Sequence, residues 1–314
     1  MNEHSIKFGI QTGQQNVAWS DLLALWKNAD AWGYDSLWNF DHFYPIFSDP
    51  SGPCLECWTT LGALAQATSR ASVGQLVSGN TYRHPCITAK AAATLDHVSG
   101  GRAVLGLGAG WFEKEHHDFG IDFKTVRGRL EALDEACTVI RGMFREQAVT
   151  LDGKHYRVDG AMGNPKPLRD GGVPLLIGGT GRKILLRLVA KHADMWNANL
   201  DPDGMRDLIE VIQRHGDAVG RDTGEIEKTV MLPLCYSENS DRQEMMQNLY
   251  AAVRETSPEE ARKSIMIGGK QECIDTVGKY ADVGVTHFIF MTFAPYFTDE
   301  IQAFAEQVAP AVRA

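Results

Sequence analysis

The chain has 314 residues, and its 31 basic against 40 acidic side chains give a formal net charge of −9. That length suffices for one large α/β domain or two ordinary ones with a sizeable core, and 44% hydrophobic with 23% charged residues excludes a disordered or fibrous chain. An acidic balance also argues against a nucleic-acid surface, which demands a basic footprint, while leaving room for an anionic cofactor in a local pocket.

Short apolar runs alternate with helical patterns almost from end to end. IKFGI at residues 6–10 is the first run. A helix follows over 19–31, with Leu22, Leu25, Trp26 and Ala29 on one face and Gly33 just beyond. SLWNF at 36–40 is the second run and SVGQLV at 72–77 the third. Pro85 suits the first turn of the next helix, which Gly100 and Gly101 close. AVLGLG at 103–108 precedes a long helix over about 125–145, with Leu130, Leu133, Cys137, Ile140 and Phe144 on its buried side. VPLLIGG at 173–179 is the fifth run, with a helix from about Arg182. MWNAN at 195–199, TVMLPLCY at 229–236 and HFIFMTF at 287–293 complete eight.

Eight strands separated by helices imply repeated βα units and a parallel sheet. Eight units in this length fit a closed (β/α)8 TIM barrel; no GxGxxG follows the first strand to favour a doubly wound sheet. The segment 149–158, VTLDGKHYRV, reads as a hairpin turning at Asp152 and Gly153. The stretch 237–269 holds two helical patterns. Both count as insertions, about 147–172 and 237–269, in one domain spanning 1–314, because no linker-like composition flanks them.

MNEHSIKFGIQTG at the start lacks the basic and apolar regions of a signal peptide. No run reaches the roughly eighteen apolar residues of a membrane span. Cys54 and Cys57 form a lone CxxC with neither a second ligand pair nor a thioredoxin-like context. The expectation is a reduced, cytoplasmic protein that holds no metal and touches neither nucleic acid nor membrane.

Barrel chemistry gathers where strands end. Gln11 and Thr12 follow the first strand, Asn39, Asp41, His42 and Phe43 the second. Residues 78–85, SGNTYRHP, follow the third, and 109–117, AGWFEKEHH, the fourth. Gly178, Gly179 and Thr180 follow the fifth, Asn197 and Asn199 the sixth, and Met291, Thr292 and Phe293 the eighth. Aromatic, amide and small side chains predominate, which suits a planar organic cofactor and a small substrate. In LIGGTGRK at 176–183 a strand runs through two glycines into a helix start; this serves a phosphate or is simply a tight turn. IGGKQE at 267–272 is a weaker second phosphate motif. The Asp41-His42 pair can relay a proton or make a structural hydrogen bond. EKEHH at 113–117 mimics a metal cluster, but adjacent side chains diverge.

Several stretches taken together resemble the bacterial luciferase-like monooxygenase superfamily, and within it the coenzyme F420-dependent oxidoreductases. They are GYDSLWNFDHF at 33–43, the stretch 77–120 with its VSGNTYRHP and AVLGLGAGWFEKEHHDFG, LDGKHYRV, PKP at 165–167, the stretch 174–197 and GKYADVGVTHFIF at 278–290. The order and spacing agree over nearly the whole chain. The resemblance implies a luciferase-like (β/α)8 barrel that binds F420 or FMN without a metal. It places a bulge in the loop after the third strand, with a non-prolyl cis peptide at Ser78-Gly79 that props the ring, and sets Asn80 and Thr81 beside the ring's polar edge. Gly110, Trp111 and Glu115 then meet the ribityl chain and phosphate, while Gly178, Gly179 and Thr180 hold the phosphate. It makes His42 the proton donor or acceptor, oriented by Asp41, with Trp38 and Phe43 as pocket walls.

The implied reaction is hydride transfer between F420 and a small organic substrate. The alternative is an oxygen-using monooxygenase fed reduced FMN by a separate reductase, and a flavin-binding store or sensor is the third reading. A homodimer is the family expectation. One departure stands out. The family's sugar-phosphate dehydrogenases carry a glutamate just after the glycine pair of the fourth strand's loop, where this chain has Trp111.

Overall fold

Eight parallel strands close on themselves in the computed structural model, which describes residues 5–313. The first four residues, on which the leader reading partly rests, and both limits of the expected domain lie outside the described residues. In chain order the elements begin β1 (Lys7–Thr12), α1 (Trp19–Trp32), β2 (Ser36–Asn39), α2 (Cys57–Ala67), β3 (Ser72–Gln75), β4 (Ser78–Gly79), α3 (Pro85–Val98) and β5 (Ala103–Gly108). Next come α4 (Glu113–Asp118), α5 (Val126–Arg145), β6 (Val149–Asp152), β7 (Arg157–Ala161), β8 (Leu175–Gly178), α6 (Leu185–His192), β9 (Met195–Ala198) and α7 (Pro202–Val219). The chain finishes with β10 (Glu227–Tyr236), α8 (Ser240–Arg254), α9 (Pro258–Arg262), β11 (Met266–Gly268), α10 (Lys270–Ala281), β12 (His287–Thr292), α11 (Thr298–Gln307) and α12 (Ala309–Arg313).

The barrel runs β1-β2-β3-β5-β8-β9-β10-β12 and returns to β1, each pair parallel. All eight expected runs supply a barrel strand. Helix starts follow local chemistry: Thr125 accepts the Gly128 amide at the head of α5, and Pro85 opens α3. The helix after β8 starts three residues later than expected, at Leu185, because residues 182–184 form a turn. The hairpin forms as β6 and β7, but its loop is longer than two residues. Glu135 accepts the amides of Lys154, His155 and Tyr156 there, so the loop is held by a helix and not by its own turn. The second insertion becomes α8, α9 and β11, the last pairing with the outer end of β10.

The barrel floor is closed by a hydrogen-bonded chain. Trp38 Nε1 donates to Ser36 Oγ (2.7 Å), Ser36 Oγ meets His287 Nε2 (2.7 Å), and His287 Nδ1 meets Glu227 Oε1 (2.7 Å). Lys7 Nζ completes it on Glu227 Oε2 at 2.9 Å. Side chains from β1, β2, β10 and β12 are thereby joined. A Cβ at position 9 would overlap Ser36 Oγ, which explains Gly9 in β1.

Near the mouth, β3 carries one residue too many. Gly74 pairs with Val104 and Ser78 with Leu107, so four steps on one side oppose three on the other. This is a β-bulge, and it turns the consecutive side chains of Leu76 and Val77 toward the interior. The facing strands make room with glycines. A Cβ on Gly106 would overlap the Gln75 carbonyl oxygen; on Gly108 and Gly178 it would lie 2.7 and 3.0 Å from Val77.

Burial would raise the Glu227 carboxyl, but hydrogen bonds from His287 and Lys7 overcome it and hold the group down to about 2. A carboxyl depressed by folding adds stability above its unfolded value, and that increment is lost as pH falls toward the folded value. Chemical denaturation of the native chain should therefore show stability falling between about pH 4.5 and 2, and Glu227→Gln should flatten that acid limb.

Candidate active site

A cavity of about 650 Å³ opens at the carboxyl ends of the strands. Its inner wall is Leu76, Val77, Gly79, Gly108 and Gly178, and Met231 and Met291 complete the base. Gln11 stands on the floor with its Oε1 buried and unpartnered. A branch passes Thr180, Asn197, Asn199 and Arg254. A cleft of similar volume, about 630 Å³, lies outside the barrel among charged side chains of α7, α9 and α10, away from the strand ends.

His42 lines the cavity among Phe40, Trp111 and Phe112, whose rings stand edge-on to it at 5.3, 5.5 and 5.8 Å. The structure corrects the expected partner. Glu115, not Asp41, meets the imidazole, with Oε2 at 2.9 Å from His42 Nδ1. Glu115 also accepts the amides of Phe43 (2.7 Å) and Tyr44 (3.0 Å) and the Tyr82 hydroxyl (2.5 Å). Burial opposes its ionisation, but hydrogen bonds from His42, Tyr82 and the Tyr44 amide hold the carboxyl below its usual range. A carboxylate only accepts, so His42 donates from Nδ1, and in the neutral ring Nε2 is then the acceptor. Among the described residues Nε2 has no partner.

Asp41 points the other way, as successive side chains must in an extended segment. Its Oδ2 accepts from Ser78 Oγ (2.6 Å), the Gly79 amide (3.2 Å) and Arg83 (2.5 Å), fixing the backbone behind the bulge. The third-strand loop is therefore arranged differently from the expectation. Its non-prolyl cis peptide is Leu76-Val77, not Ser78-Gly79. Gly79 alone of the four expected residues lines the cavity. Ser78 serves Asp41, Asn80 donates to Tyr156 of the hairpin (3.1 Å), and Thr81 meets His116 (2.7 Å). The extra residue in β3 sets these faces, and it is invisible without the partner strand.

Glu115 is spent on His42 and two backbone amides and so faces no cofactor phosphate. Trp38 is buried in the floor, and Phe43 packs outward on Tyr82 and Phe119, each 4.8 Å away; neither is a pocket wall. Gly110 does line the cavity, at φ +82, and a Cβ there would press within 2.6 Å of Thr81. Of the EKEHH side chains, His116 bonds Phe112 and Thr81 while His117 faces Glu113 from solvent. Burial pushes the Cys54 thiol up to about 12 and the Cys57 thiol well above its usual range, which fits ordinary thiols.

The two glycine motifs separate clearly. Gly268 and Gly269 are served from within: Glu272 accepts the Gly269 amide (3.0 Å), and its carboxylate fills the place an anion would need. Gly179, at φ +131, gives its amide to Asn197 and leaves no space for a Cβ beside Leu185. Just beyond it, among the described residues, the amides of Thr180, Gly181, Arg182 and Lys183 have no partner. Gly179 thus shapes the turn with its own amide already paired, and the open amides lie beyond it. Arg254 of α8 reaches the same branch, and Tyr250 anchors that helix by donating to Asn199 Oδ1 (2.7 Å). Nothing in the local pattern of the insertion signals Arg254 or Tyr250.

Residues 4–263 match the family model of the luciferase-like monooxygenases. The chain belongs to this family. It is an oxidoreductase enzyme. The F420-dependent glucose-6-phosphate dehydrogenase of Nakamurella multipartita is 27% identical over 344 residues, covering 100% of this chain and 98% of that protein. Its counterpart from Kineococcus radiotolerans is 25% identical over 335 residues, covering 98% and 97%. An F420-dependent secondary alcohol dehydrogenase, solved with an F420-acetone adduct, shares the fold at a TM-score of 0.87 with 22% identity over 99% of this chain and 100% of that one. A monooxygenase from Streptomyces bottropensis shares it at 0.81 with 18% identity over 98% and 99%. No helix among the described residues is long and apolar enough to cross a membrane.

Glu115→Gln tests the tautomer. The amide presents N–H groups where the carboxylate accepted, so His42 should move its proton to Nε2. Nitrogen NMR of the labelled imidazole should read protonated Nδ1 in the native chain and protonated Nε2 in the variant.

Proposed function

We propose that this enzyme transfers a hydride between coenzyme F420 and a small organic alcohol or carbonyl compound. The observation that carries the reading is His42 at the cavity wall, its Nδ1 fixed by Glu115 and its Nε2 free. Full-length similarity to F420-dependent dehydrogenases supports the choice of cofactor.

The residues present fit such a cofactor. Glycines 79, 108 and 178 leave a wall free of side chains beside Leu76 and Val77, against which a planar ring can lie. The orphaned Gln11 Oε1 would take an N–H from the ring's polar edge. The amides of residues 180–183 and the guanidinium of Arg254 would meet the phosphate and the acidic tail beyond it. When bound, the deazaflavin supplies a carbon that accepts or returns a hydride.

The chain's part is proton handling and order. His42 Nε2 accepts the proton of a substrate hydroxyl as the carbonyl forms, and returns it in the reverse direction. Glu115 faces the imidazolium so formed and stabilises its charge in a setting screened from water. Asp41 and Arg83 keep Gly79 in place, which preserves the flat wall. This division makes Asp41 a positioning residue.

Titration with F420 and with FMN, followed by turnover with and without oxygen, tests the reading. F420 should bind and support turnover in the absence of oxygen; binding of FMN alone with strict oxygen dependence would overturn it. His42→Ala should lower kcat by about a hundredfold or more with F420 affinity nearly unchanged. Activity that survives the change removes His42 from proton transfer.

A further inference from the structure

The cavity has two chemically different ends. Arg254 and the free amides stand at one. The other, in front of His42, is apolar and exposed: Phe47, Trp111 and Val126 are 61%, 57% and 64% accessible and line the same mouth. Exposed large apolar side chains rimming one opening mark a binding surface more often than chance. Phe47 holds this position from a left-handed backbone, φ +59, a conformation bulky side chains seldom adopt and one found disproportionately at functional sites.

The rings are suitably arranged. Phe47 and Trp111 lie nearly parallel, 20° apart, with centroids 6.5 Å apart. That is the loose end of the roughly 4.5–7 Å spanned by aromatic pairs, whereas Trp111 and Phe112 are closed up at 5.2 Å. Trp111 also stands edge-on to His42 at 5.5 Å, so a group held by it is beside the imidazole.

Charge selects against anions at this end. Arg83 is paired with Asp41 and Glu56, and Glu115 is fully engaged. Arg129 gives its donors to the Gly110 and Lys124 carbonyls and stacks 3.9 Å over Phe123. Among the described residues the other arginine lining the cavity is Arg254, which the phosphate and acidic tail of the proposed cofactor would take.

We propose that Phe47 and Trp111 grip the planar, uncharged body of an aryl or conjugated ketone, or of the corresponding alcohol, and present its oxygen to His42. The inference rests on the functional reading above and narrows its substrate class. It also means that the sugar phosphate named for the dehydrogenase relatives is not a substrate of this site.

Calorimetry with 2-acetonaphthone, cyclohexyl methyl ketone and glucose 6-phosphate tests it on the F420-loaded and the cofactor-free chain. The naphthyl ketone should bind more tightly than the cyclohexyl one, and glucose 6-phosphate should not displace it. Phe47→Ala and Trp111→Ala should each weaken naphthyl ketone binding about three- to tenfold, the size of an aromatic pair, with Phe47→Tyr restoring it. Equal affinity for the two ketones, displacement by glucose 6-phosphate, or alanine variants that bind unchanged would each overturn the grip. If F420 binds and the ketone does not, the grip fails while the cofactor reading survives. If the ketone binds in a Phe47-dependent way and F420 does not, the grip stands and the cofactor reading fails.

Discussion

The contact between the bulged end of β3 and the glycines of β5 and β8 determines the shape of the active end. Packed interiors leave no voids larger than a water molecule, so an extra residue carrying two inward side chains must displace something. Here it displaces Cβ atoms, at positions 106, 108 and 178. What results is a wall of backbone with Leu76 and Val77 standing from it. A barrel with ordinary side chains at those sites would fill its mouth as it fills its floor, and no planar cofactor would find a surface to lie on.

Polar groups in the barrel are then used in two ways. The floor chain from Trp38 to Lys7 satisfies its members internally and binds strands distant in sequence. At the mouth, Asp41 and Glu115 each gather several donors, and those on Glu115 hold its carboxyl below the usual range against burial. Among the described residues at the cavity, the Gln11 carbonyl, His42 Nε2 and the amides of residues 180–183 are left without a partner. These are the points at which a ligand completes the structure. The same logic eliminates the turn at Gly268 and Gly269, where Glu272 supplies the anion from within.

The eight strands were legible because strands covered on both faces read as short continuous apolar runs. The place of the cavity was legible too, since strand ends mark it and His42 lines it. The partnerships were not. Asp41 lies next to His42 in sequence, and for that reason its side chain points away; the carboxylate that does meet His42 is 73 positions on. The bulge was expected from the family resemblance, but its cis peptide lies two residues earlier, at Leu76-Val77, because the residues a bulge turns inward are set by the register of a pair of strands and not by either alone. Phe47 came from a segment without periodicity, and Arg254 from an inserted helix whose position over the barrel mouth no local pattern gives.

Glu115 binds the segment after β2, through His42 and the amides of Phe43 and Tyr44, to the helix that follows β5. Two excursions often thought of as interchangeable parts of a barrel are thus a single unit. Transplanting one without the other, in evolution or in a chimera, would leave either a carboxylate lacking its donors or an imidazole lacking its orientation. Variation in specificity within such a scaffold is therefore steered toward the pieces outside this unit: the tip bearing Phe47 and the inserted α8.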